Sequence, residues 1–161
     1  LKNANFVDKV FCISKPGLPI SAYDNLDAFK VFMVDVGLLR CKSRLVSSAF
    51  AEGLRLFTEF KGALTENFVL QSLKRQFDVP LRYWASAPYE VDFILQRENE
   101  IIPIEVKASE NVKSTSVKKY ASLYERDTRR IIRFSMKNLC HDGKILNVPL
   151  FMIDELDRLL G

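Results

Sequence analysis

The sequence predicts an α+β fold in which a mixed sheet is flanked by helices, and two observations carry this prediction. Residues 90–97 and 100–107 alternate apolar and polar side chains with the period of a β-strand. Ahead of them, residues 62–77 repeat apolar side chains every three or four positions, as an amphipathic helix does. We therefore expect a helix followed by a β-hairpin at the centre of the fold.

Turn and capping signals place the other elements of this core. In order, they are helix 62–77, strand 81–86, strand 90–97, strand 100–107, a helix near 114–125 opened by Ser114-Thr115, and a strand at 130–135. Residues 145–152 predict a further strand, in which Pro149 indicates an edge position. Residues 153–160 predict a short closing helix. The core order is therefore α-β-β-β-α-β.

The opening part of the chain predicts a hairpin and then a separate strand. The hairpin comprises an apolar segment from Asn5 to Ser14, a turn at Lys15-Pro16-Gly17, and a short extended piece from Leu18 to Tyr23. Phe29 to Val36 predicts the separate strand, at whose end Asp35 caps a short helix. Ser43 to Phe60 predicts a less regular region of mixed helix.

The central hairpin places charged side chains together on one face. A two-residue turn at Glu98-Asn99 puts Asp92 directly opposite Glu105, and Lys107 shares their face. The opposite face then collects only apolar side chains, from Val91, Phe93, Leu95, Ile102, Ile104 and Val106. Because one face is wholly apolar, a slip of register is costly.

The two opposed acids require a compensating positive charge, since like charges at this spacing destabilise a sheet. Without a metal, we expect the pKa of Asp92 or Glu105 to be raised by the other acid, with Lys107 offsetting part of the repulsion. Carboxylate oxygens suit Mg²⁺ or Mn²⁺, which complete their shell with water and phosphate. Metal-bound water is a hydrolytic nucleophile, which Lys107 is placed to orient. The alternative is a surface salt-bridge cluster.

Glu66 is a candidate third acid, because it falls within the apolar stripe of the predicted helix. The stripe consists of Ala63, Glu66, Leu70, Leu73 and Phe77. This spacing directs the Glu66 carboxylate toward the sheet, where an ionised acid is costly unless it is paired or bound to metal. The alternative is that Glu66 lies in the exposed first turn of the helix, where the helix dipole favours it.

The order of a helix with Glu, a strand, a strand with Asp and a strand with Glu-x-Lys resembles the PD-(D/E)xK, or restriction-endonuclease-like, nuclease superfamily. More narrowly, the chain resembles the domain of unknown function that follows the ATPase core in many predicted prokaryotic AAA-type ATPases, over about Phe6 to Phe134. The matching segments are residues 30–39, 62–69, Tyr83-Trp84, Glu90-Val91-Asp92-Phe93 and Ile104-Glu105-Val106-Lys107.

This resemblance implies a restriction-endonuclease-like core and a Mg²⁺-dependent endonuclease that hydrolyses phosphodiester bonds in DNA. Asp92 and Glu105 match the metal-binding acids, Lys107 the catalytic lysine, and Glu66 the helix acid of some branches. It also implies two regions in the chain. Residues 1–25 would be the remnant of a preceding winged-helix-like segment, and residues 26–161 the nuclease-like domain.

The ATPase part of such proteins is absent from this sequence. No Gly-x-x-x-x-Gly-Lys-Ser/Thr phosphate loop occurs among the six glycines, which excludes ATP hydrolysis by this chain. Because the chain begins at Leu1 without an initiator Met, we expect a C-terminal piece of a longer protein. The ATPase portion of the same polypeptide is then an expected partner.

Composition predicts one soluble domain in the cytoplasm. The 161 residues are 48% hydrophobic and 27% charged, which is ordinary for a globular domain. No apolar run approaches the ~20 residues of a membrane span, and no signal-peptide pattern opens the chain.

Cysteine usage fits a reducing compartment. Cys12, Cys41 and Cys140 are odd in number and widely spaced, so we expect structural thiols among apolar neighbours and no disulfide. His141 has no second Cys-His pair and precedes a predicted turn, which predicts a solvent-facing loop and argues against zinc.

Positive charge concentrates directly after the proposed site. Residues 107–133 hold eight Lys or Arg and three acids, and the whole chain has a net charge of only +4. We expect this stretch to contact DNA phosphates. The candidates are Lys113, Lys118, Lys119, Arg129 and Arg130. The alternative is a solvated helix face. Four aromatic residues fit either base stacking or the core: Tyr83, Trp84, Tyr120 and Tyr124.

Three classes of function follow. The first is a metal-dependent DNA phosphodiesterase, the second a DNA-binding module that does not cleave, and the third a protein-interaction domain whose acids form structural ion pairs. All four proposed site positions hold a residue type that is suited to catalysis, which favours the phosphodiesterase, because a module selected only for binding has no use for a buried acid at Glu66. The third is favoured if residues 107–133 lie away from the acids.

Overall fold

A mixed sheet of eight strands organises the computed structural model, which describes residues 6–44, 57–108 and 113–161. The strands are β1 (Val7–Ile13), β2 (Asp24–Met33), β3 (Arg82–Ser86), β4 (Tyr89–Arg97), β5 (Glu100–Val106), β6 (Ile131–Ser135), β7 (Cys140–Asp142) and β8 (Ile145–Pro149). The helices are α1 (Val36–Lys42), α2 (Phe57–Gln76), α3 (Thr115–Leu123) and α4 (Leu156–Leu160), with 3₁₀ helices at Ile20–Tyr23 and Leu150–Glu155. Within the described ranges, no helix has the length and apolar character to cross a membrane.

The strands lie in the order β2-β1-β3-β4-β5-β6-β8-β7. Antiparallel pairing joins β1 to β2, β3 to β4, β4 to β5 and β7 to β8. Parallel pairing joins β1 to β3, β5 to β6 and β6 to β8. The predicted α+β class, with a mixed sheet and flanking helices, is confirmed.

The β4–β5 hairpin forms in the predicted register. Its pairs run from Arg97 opposite Glu100 to Phe93 opposite Ile104. Glu98 in the turn has a φ of 52°, the left-handed conformation that two-residue hairpin turns use. The ladder ends at Phe93 and Ile104, one residue before Asp92 and Glu105 would pair.

A β-bulge in β4 sits at the beginning of the candidate site. Ile94 pairs with Arg82 and Val91 with Trp84, so Asp92 and Phe93 together lie opposite the single residue between them on β3, Tyr83. Such an extra residue changes which face the neighbouring side chains take. Val91 therefore packs in a different apolar cluster from Phe93, and its predicted place on the same face is wrong.

Two apolar clusters fill the two sides of the sheet. One joins Val69, Leu70 and Leu73 of α2 to Phe93 and Ile104, among others. The other cluster contains Trp84, Ile94, Val117 and Tyr120. Within it, the rings of Trp84 and Tyr120 meet edge to face at 5.2 Å.

The four aromatic residues belong to the interior of the fold. Tyr83, Trp84 and Tyr120 are buried, and Tyr124 packs against the second cluster. The structure therefore confirms the prediction that these side chains belong to the core, and not the alternative that they stack on bases.

The N-terminal hairpin differs from its predicted form. β1 pairs with β2, and the predicted partner at 18–23 is instead a turn and a 3₁₀ helix. Pro16 and Pro19 lack the backbone donors that a ladder requires. β1 lies inside the sheet between β2 and β3, and β2 crosses the predicted boundary at residue 25. The winged-helix origin of residues 1–25 stays a prediction.

The connection between β2 and α2 is described only in part. Asp35 is the N-cap of α1, and its side chain accepts a hydrogen bond of 2.8 Å from the backbone N–H of Leu38, as predicted. Residues 45–56, within the predicted irregular region 43–60, lie outside the described residues. α2 begins at Phe57, five residues before its predicted start.

The C-terminal part corrects three predictions. His141 is exposed, but it lies in the short edge strand β7 and not in a loop. β8 is an interior strand, since it pairs with β6 on one side and with β7 on the other. The sheet accommodates Pro149 because this proline is the last residue of the strand. All three cysteines are free thiols as expected, yet only Cys12 is buried, whereas Cys41 and Cys140 are exposed.

Candidate active site

The candidate site lies where the β4–β5 ladder ends. Asp92 Oδ2 accepts a hydrogen bond of 2.7 Å from the backbone N–H of Val106. The carboxylate therefore takes the position that a backbone carbonyl would occupy if the ladder continued. Since Val106 lies between Glu105 and Lys107 in the chain, this bond places the Asp92 carboxylate at the backbone of the segment that carries the other two predicted residues of the hairpin.

Lys107 contacts Glu105 directly. Its Nζ lies 3.2 Å from Glu105 Oε1, and its backbone N–H donates to the carbonyl of Phe134 at 2.8 Å. The lysine is thus held at the end of β5 with its ammonium beside a predicted metal ligand.

Glu105 is a buried acid with an unsatisfied oxygen. The residue is only 2% exposed, and Oε2 has no hydrogen-bond partner among the residues that the structure describes. Leaving a buried carboxylate oxygen without such a partner costs about 1–3 kcal/mol, and more where the group is charged. Glu105 Oε2 is therefore a site at which a cation would be stabilising.

A buried arginine is the neighbour of Glu105 on β6. Arg133 pairs with Glu105 across the two parallel strands and is 4% exposed. Its guanidinium donates to Asn147 Oδ1 and to Ser114 Oγ, both at 3.0 Å. These bonds fix Arg133 between β8 and the beginning of α3. The sequence alone did not predict this buried position of Arg133.

Glu66 lies at the margin of the apolar stripe of α2. Leu70, Leu73 and Phe77 are buried as predicted, but Ala63 is exposed and the Glu66 side chain is half-buried. Glu66 Oε2 is 3.7 Å from Lys30 Nζ. The acid thus faces the site and not the bulk solvent, and it is paired with a cation from β2.

Lys30 and Glu90 are site residues that were missed. Lys30 Nζ lies 2.5 Å from Glu90 Oε1 and 5.2 Å from the centre of the Tyr83 ring. Glu90 precedes Asp92 by two positions in the predicted strand, which was a usable signal for a shared face. Lys30 carried no such signal, because 60 residues separate it from Glu90.

Burial and Glu66 control the ionisation of Asp92. Burial, reinforced by the negative charge of Glu66, raises the pKa of Asp92 to about 7. The hydrogen bond from Val106 and the charges of Lys30 and Lys107 act in the opposite direction. The raised pKa of one acid was expected, but its main charged neighbour is Glu66 and not Glu105.

Glu66 and Lys30 influence each other in the same network. Burial raises the pKa of Glu66 above its usual range, although Lys30 lowers it in part. Burial lowers the pKa of Lys30, but the carboxylates of Glu90, Glu66 and Asp92 more than offset this, so the pKa of Lys30 is raised. Lys30 is therefore charged at neutral pH.

A cleft of about 400 Å³ leads to this network from solvent. Lys30 and Glu66 lie on its wall, and most of the other lining residues are apolar side chains from β2, α1 and α2. The cleft gives small ions and water access to the acids on the α2 side.

The basic candidates divide into two groups along the sheet. Lys113, Lys118 and Lys119 are exposed at and after the beginning of α3, where Ser114 contacts Arg133. Arg130 instead pairs with Glu100 at 3.0 Å, and Arg129 lines a pocket with the same acid. At ~3.3 Å per residue, Glu100 lies about 16 Å from Glu105 along β5. The structure therefore does not bring Arg129 and Arg130 to the acids.

The donor set fits a hard divalent cation bound by few protein ligands. Among the described residues, no group of three or more His, Cys, Asp or Glu side chains is close enough to hold a metal ion. Mg²⁺ and Mn²⁺ are commonly held by one or two carboxylates and complete their shell with water and phosphate. Glu105 Oε2, which has no partner among the described residues, is one such ligand atom, and the Asp92 carboxylate, bonded to the backbone of Val106, is the candidate for a second.

A family model described as Domain of unknown function (DUF4143) matches residues 61–151, which is more than half of the 161-residue chain. The match runs from α2 to the 3₁₀ helix after β8 and includes Glu66, Glu90, Asp92, Glu105 and Lys107. No curated protein and no solved structure is significantly similar to the chain.

Proposed function

We propose that this chain, which belongs to the DUF4143 family of domains of unknown function, is a metal-dependent phosphodiesterase domain that acts on DNA. The supporting observation is the buried Glu105 carboxylate, which contacts Lys107 and has one oxygen without a partner among the described residues; it directly precedes Val106, whose backbone N–H donates to Asp92. A structural salt bridge has no need of an acid that is 2% exposed and only half satisfied.

Each residue has a distinct role in this proposal. Asp92 and Glu105 would hold Mg²⁺ or Mn²⁺, which when bound supplies a polarised water as nucleophile and neutralises charge on the phosphate. Lys107 Nζ, which lies 3.2 Å from Glu105 Oε1, would donate a hydrogen bond to that water or to a phosphate oxygen in the transition state. From the α2 side, the half-buried Glu66 carboxylate would orient that water and, with its raised pKa, would be suited to accept its proton.

The element order supports a restriction-endonuclease-like core for this site. α2, β3, β4, β5, α3 and β6 follow the order α-β-β-β-α-β, with β3, β4 and β5 antiparallel and β6 parallel to β5. The β1–β2 hairpin and the β7–β8 pair extend this core on its two edges. As the resemblance to AAA-type ATPase proteins implies, an ATPase portion of the same polypeptide would place the domain on its substrate.

The test of activity is cleavage of duplex, single-stranded and branched DNA with Mg²⁺ by the wild type and by Lys107→Ala. We expect cleavage by the wild type and a loss of about 100-fold or more in the variant, the usual order for removing one group that stabilises the transition state. Lys74→Ala is the matched control, because Lys74 also forms an ion pair, with Asp8 of β1. Cleavage that survives Lys107→Ala contradicts the assignment.

A second candidate is a module that binds DNA or protein without cleaving. The placement of Arg129 and Arg130 favours it, because these cations lie near the hairpin turn and not beside the acids. In this case, the wild type and Lys107→Ala would both bind the partner equally well and neither would cleave DNA.

A further inference from the structure

Lys30 lies inside the acidic part of the candidate site. Its Nζ is 2.5 Å from Glu90 Oε1 and 3.7 Å from Glu66 Oε2, and Asp92 is close enough to affect its ionisation. The four residues Lys30, Glu66, Glu90 and Asp92 are called the Lys30 cluster here. They come from β2, α2 and β4, so the fold assembles the cluster from three separate parts of the chain.

The lysine is well placed to remain in this cluster. Its side chain is 23% exposed, and the ammonium lies over the face of the Tyr83 ring, which attracts cations. By contrast, Lys74 on α2 is 46% exposed and pairs with a single acid, Asp8. Lys30 is therefore an internal counter-ion shared by several carboxylates, whereas Lys74 forms an ordinary surface pair.

The geometry points to Lys30 as a positioning residue that occupies the place of a second cation, so that the site takes one divalent metal ion and not two. This inference rests on the proposed function, because it concerns how many ions the proposed metal site holds. Phosphodiesterases with two metal ions use acids on both sides of the scissile phosphate, and these acids hold ions about 4 Å apart. Here an ammonium is already shared by the acids on the α2 side.

The charge of the site supports one ion. The Lys30 cluster has three carboxylates and one ammonium, which leaves a charge of −2 when all three acids are ionised. The pair of Glu105 and Lys107 adds no net charge. One divalent cation neutralises the whole set, and a second would leave two excess positive charges in a partly buried place, which is unfavourable. Without the Lys30 ammonium, the set has a charge of −3, so a second divalent cation would leave an excess of only one.

Removing the ammonium therefore makes room for a second ion. In Lys30→Met, an uncharged side chain of similar length remains over Tyr83, and Glu66, Glu90 and Asp92 are left without their shared cation. The cleft beside Lys30 and Glu66 gives an ion access from solvent. We expect the variant to bind one more Mn²⁺ per chain than the wild type does.

The experiment counts bound Mn²⁺ by calorimetric titration, together with electron paramagnetic resonance of free Mn²⁺, on the wild type and Lys30→Met. The expected result is one ion for the wild type and two for Lys30→Met. Adding Glu66→Gln to Lys30→Met is expected to remove the extra ion, and Lys74→Met is the control that keeps the wild-type count. If Lys30→Met does not fold, Lys30→Gln, which keeps a hydrogen-bond donor for Glu90, carries the same expectation.

The outcomes separate this inference from the proposed function. An equal number of ions in the wild type and in the Lys30 variants overturns the role of Lys30, even if the wild type binds one ion and cleaves DNA. A wild type that binds no ion contradicts the proposed metal site, whereas a gain of one ion in Lys30→Met would still support the role of Lys30.

Discussion

Asp92 and Val106 are joined by a hydrogen bond of 2.7 Å from the backbone N–H of Val106 to the Asp92 carboxylate. This bond replaces the next rung of the β4–β5 ladder. It consequently opens the end of the hairpin and holds an acid beside the backbone that connects Glu105 to Lys107. The β-bulge opposite Tyr83 makes this arrangement possible, because it adds one residue to β4 at that point.

Asp92→Asn is expected to change how stability depends on pH. The pKa of Asp92 is about 7 in the folded protein and 3.8 in its ordinary state, so folding favours the protonated acid. Stability therefore falls as pH rises from about 4 to 7, and Glu66, whose pKa is also raised, adds to the same trend.

The asparagine keeps an acceptor for Val106 and cannot ionise. We expect Asp92→Asn to be more stable than the wild type at pH 8, by at most about 4 kcal/mol, since one pKa unit corresponds to about 1.4 kcal/mol. Urea unfolding without divalent ions at pH 5 and pH 8 measures this. If the free energy of unfolding depends on pH equally in the two proteins, Asp92 is not the buried acid that causes this dependence.

The register of the central hairpin could be predicted because its information is local. Period-2 alternation and the turn at Glu98-Asn99 define the β4–β5 pairing without knowledge of other strands. The bulge at Asp92 could not be predicted, because it depends on how β3 pairs with β4, and the sequence marks it with no glycine. The position of Lys30 in the site could not be predicted for a similar reason, since Lys30 contacts Glu90 and Glu66 only after β1 and β2 join the sheet.

The predicted apolar stripe of α2 was correct for the residues that are fully buried, but the prediction was incomplete at the edge of this stripe. Leu70, Leu73 and Phe77 follow the spacing of an amphipathic helix and are buried. Asn67, which is 1% exposed, was missed because a single polar residue within an apolar stripe gives no sign of its partner. That partner is the backbone of Met33 on β2.

Asn67→Ala is expected to loosen the contact between α2 and β2. The Asn67 side chain accepts from the Met33 N–H at 2.8 Å and donates to the Met33 carbonyl at 2.9 Å. Losing both bonds leaves two backbone groups unsatisfied, which costs about 1–3 kcal/mol. Chemical unfolding measures this change. A loss well below 1 kcal/mol would argue against this anchoring role.

Asp24→Ala is expected to destabilise the N-terminal hairpin strongly. Asp24 on β2 receives two hydrogen bonds from Arg82 on β3, at 2.5 and 2.8 Å, and both side chains are at most 11% exposed. Leaving the arginine buried and unpaired costs about 3–5 kcal/mol. Thermal unfolding checks this, and Arg75→Ala is the control because its pair with Asp154 is exposed. Similar small effects of both substitutions would contradict the prediction.

DNA binding is expected to depend on Lys113 and Lys119 and not on Arg130. The lysines are exposed near the beginning of α3, whereas Arg130 is engaged with Glu100 and the Leu160 carbonyl. Each lost phosphate contact lowers the slope of log affinity against log salt by about one. Fluorescence anisotropy at several salt concentrations compares Lys113→Ala, Lys119→Ala and Arg130→Ala. A reduced slope for Arg130→Ala alone would place the DNA at the opposite end of the sheet.

The most direct measurement of the central claim is calorimetric titration of Mn²⁺ into the wild type, Asp92→Asn and Glu105→Gln, with Glu155→Gln as an exposed control. The buried Glu105 carboxylate, with one oxygen unpartnered among the described residues, and Asp92 as the proposed second ligand predict weak binding of one ion by the wild type and the control, and none by the two site variants. Unchanged Mn²⁺ affinity in both site variants would contradict the metal site and the nuclease function built on it.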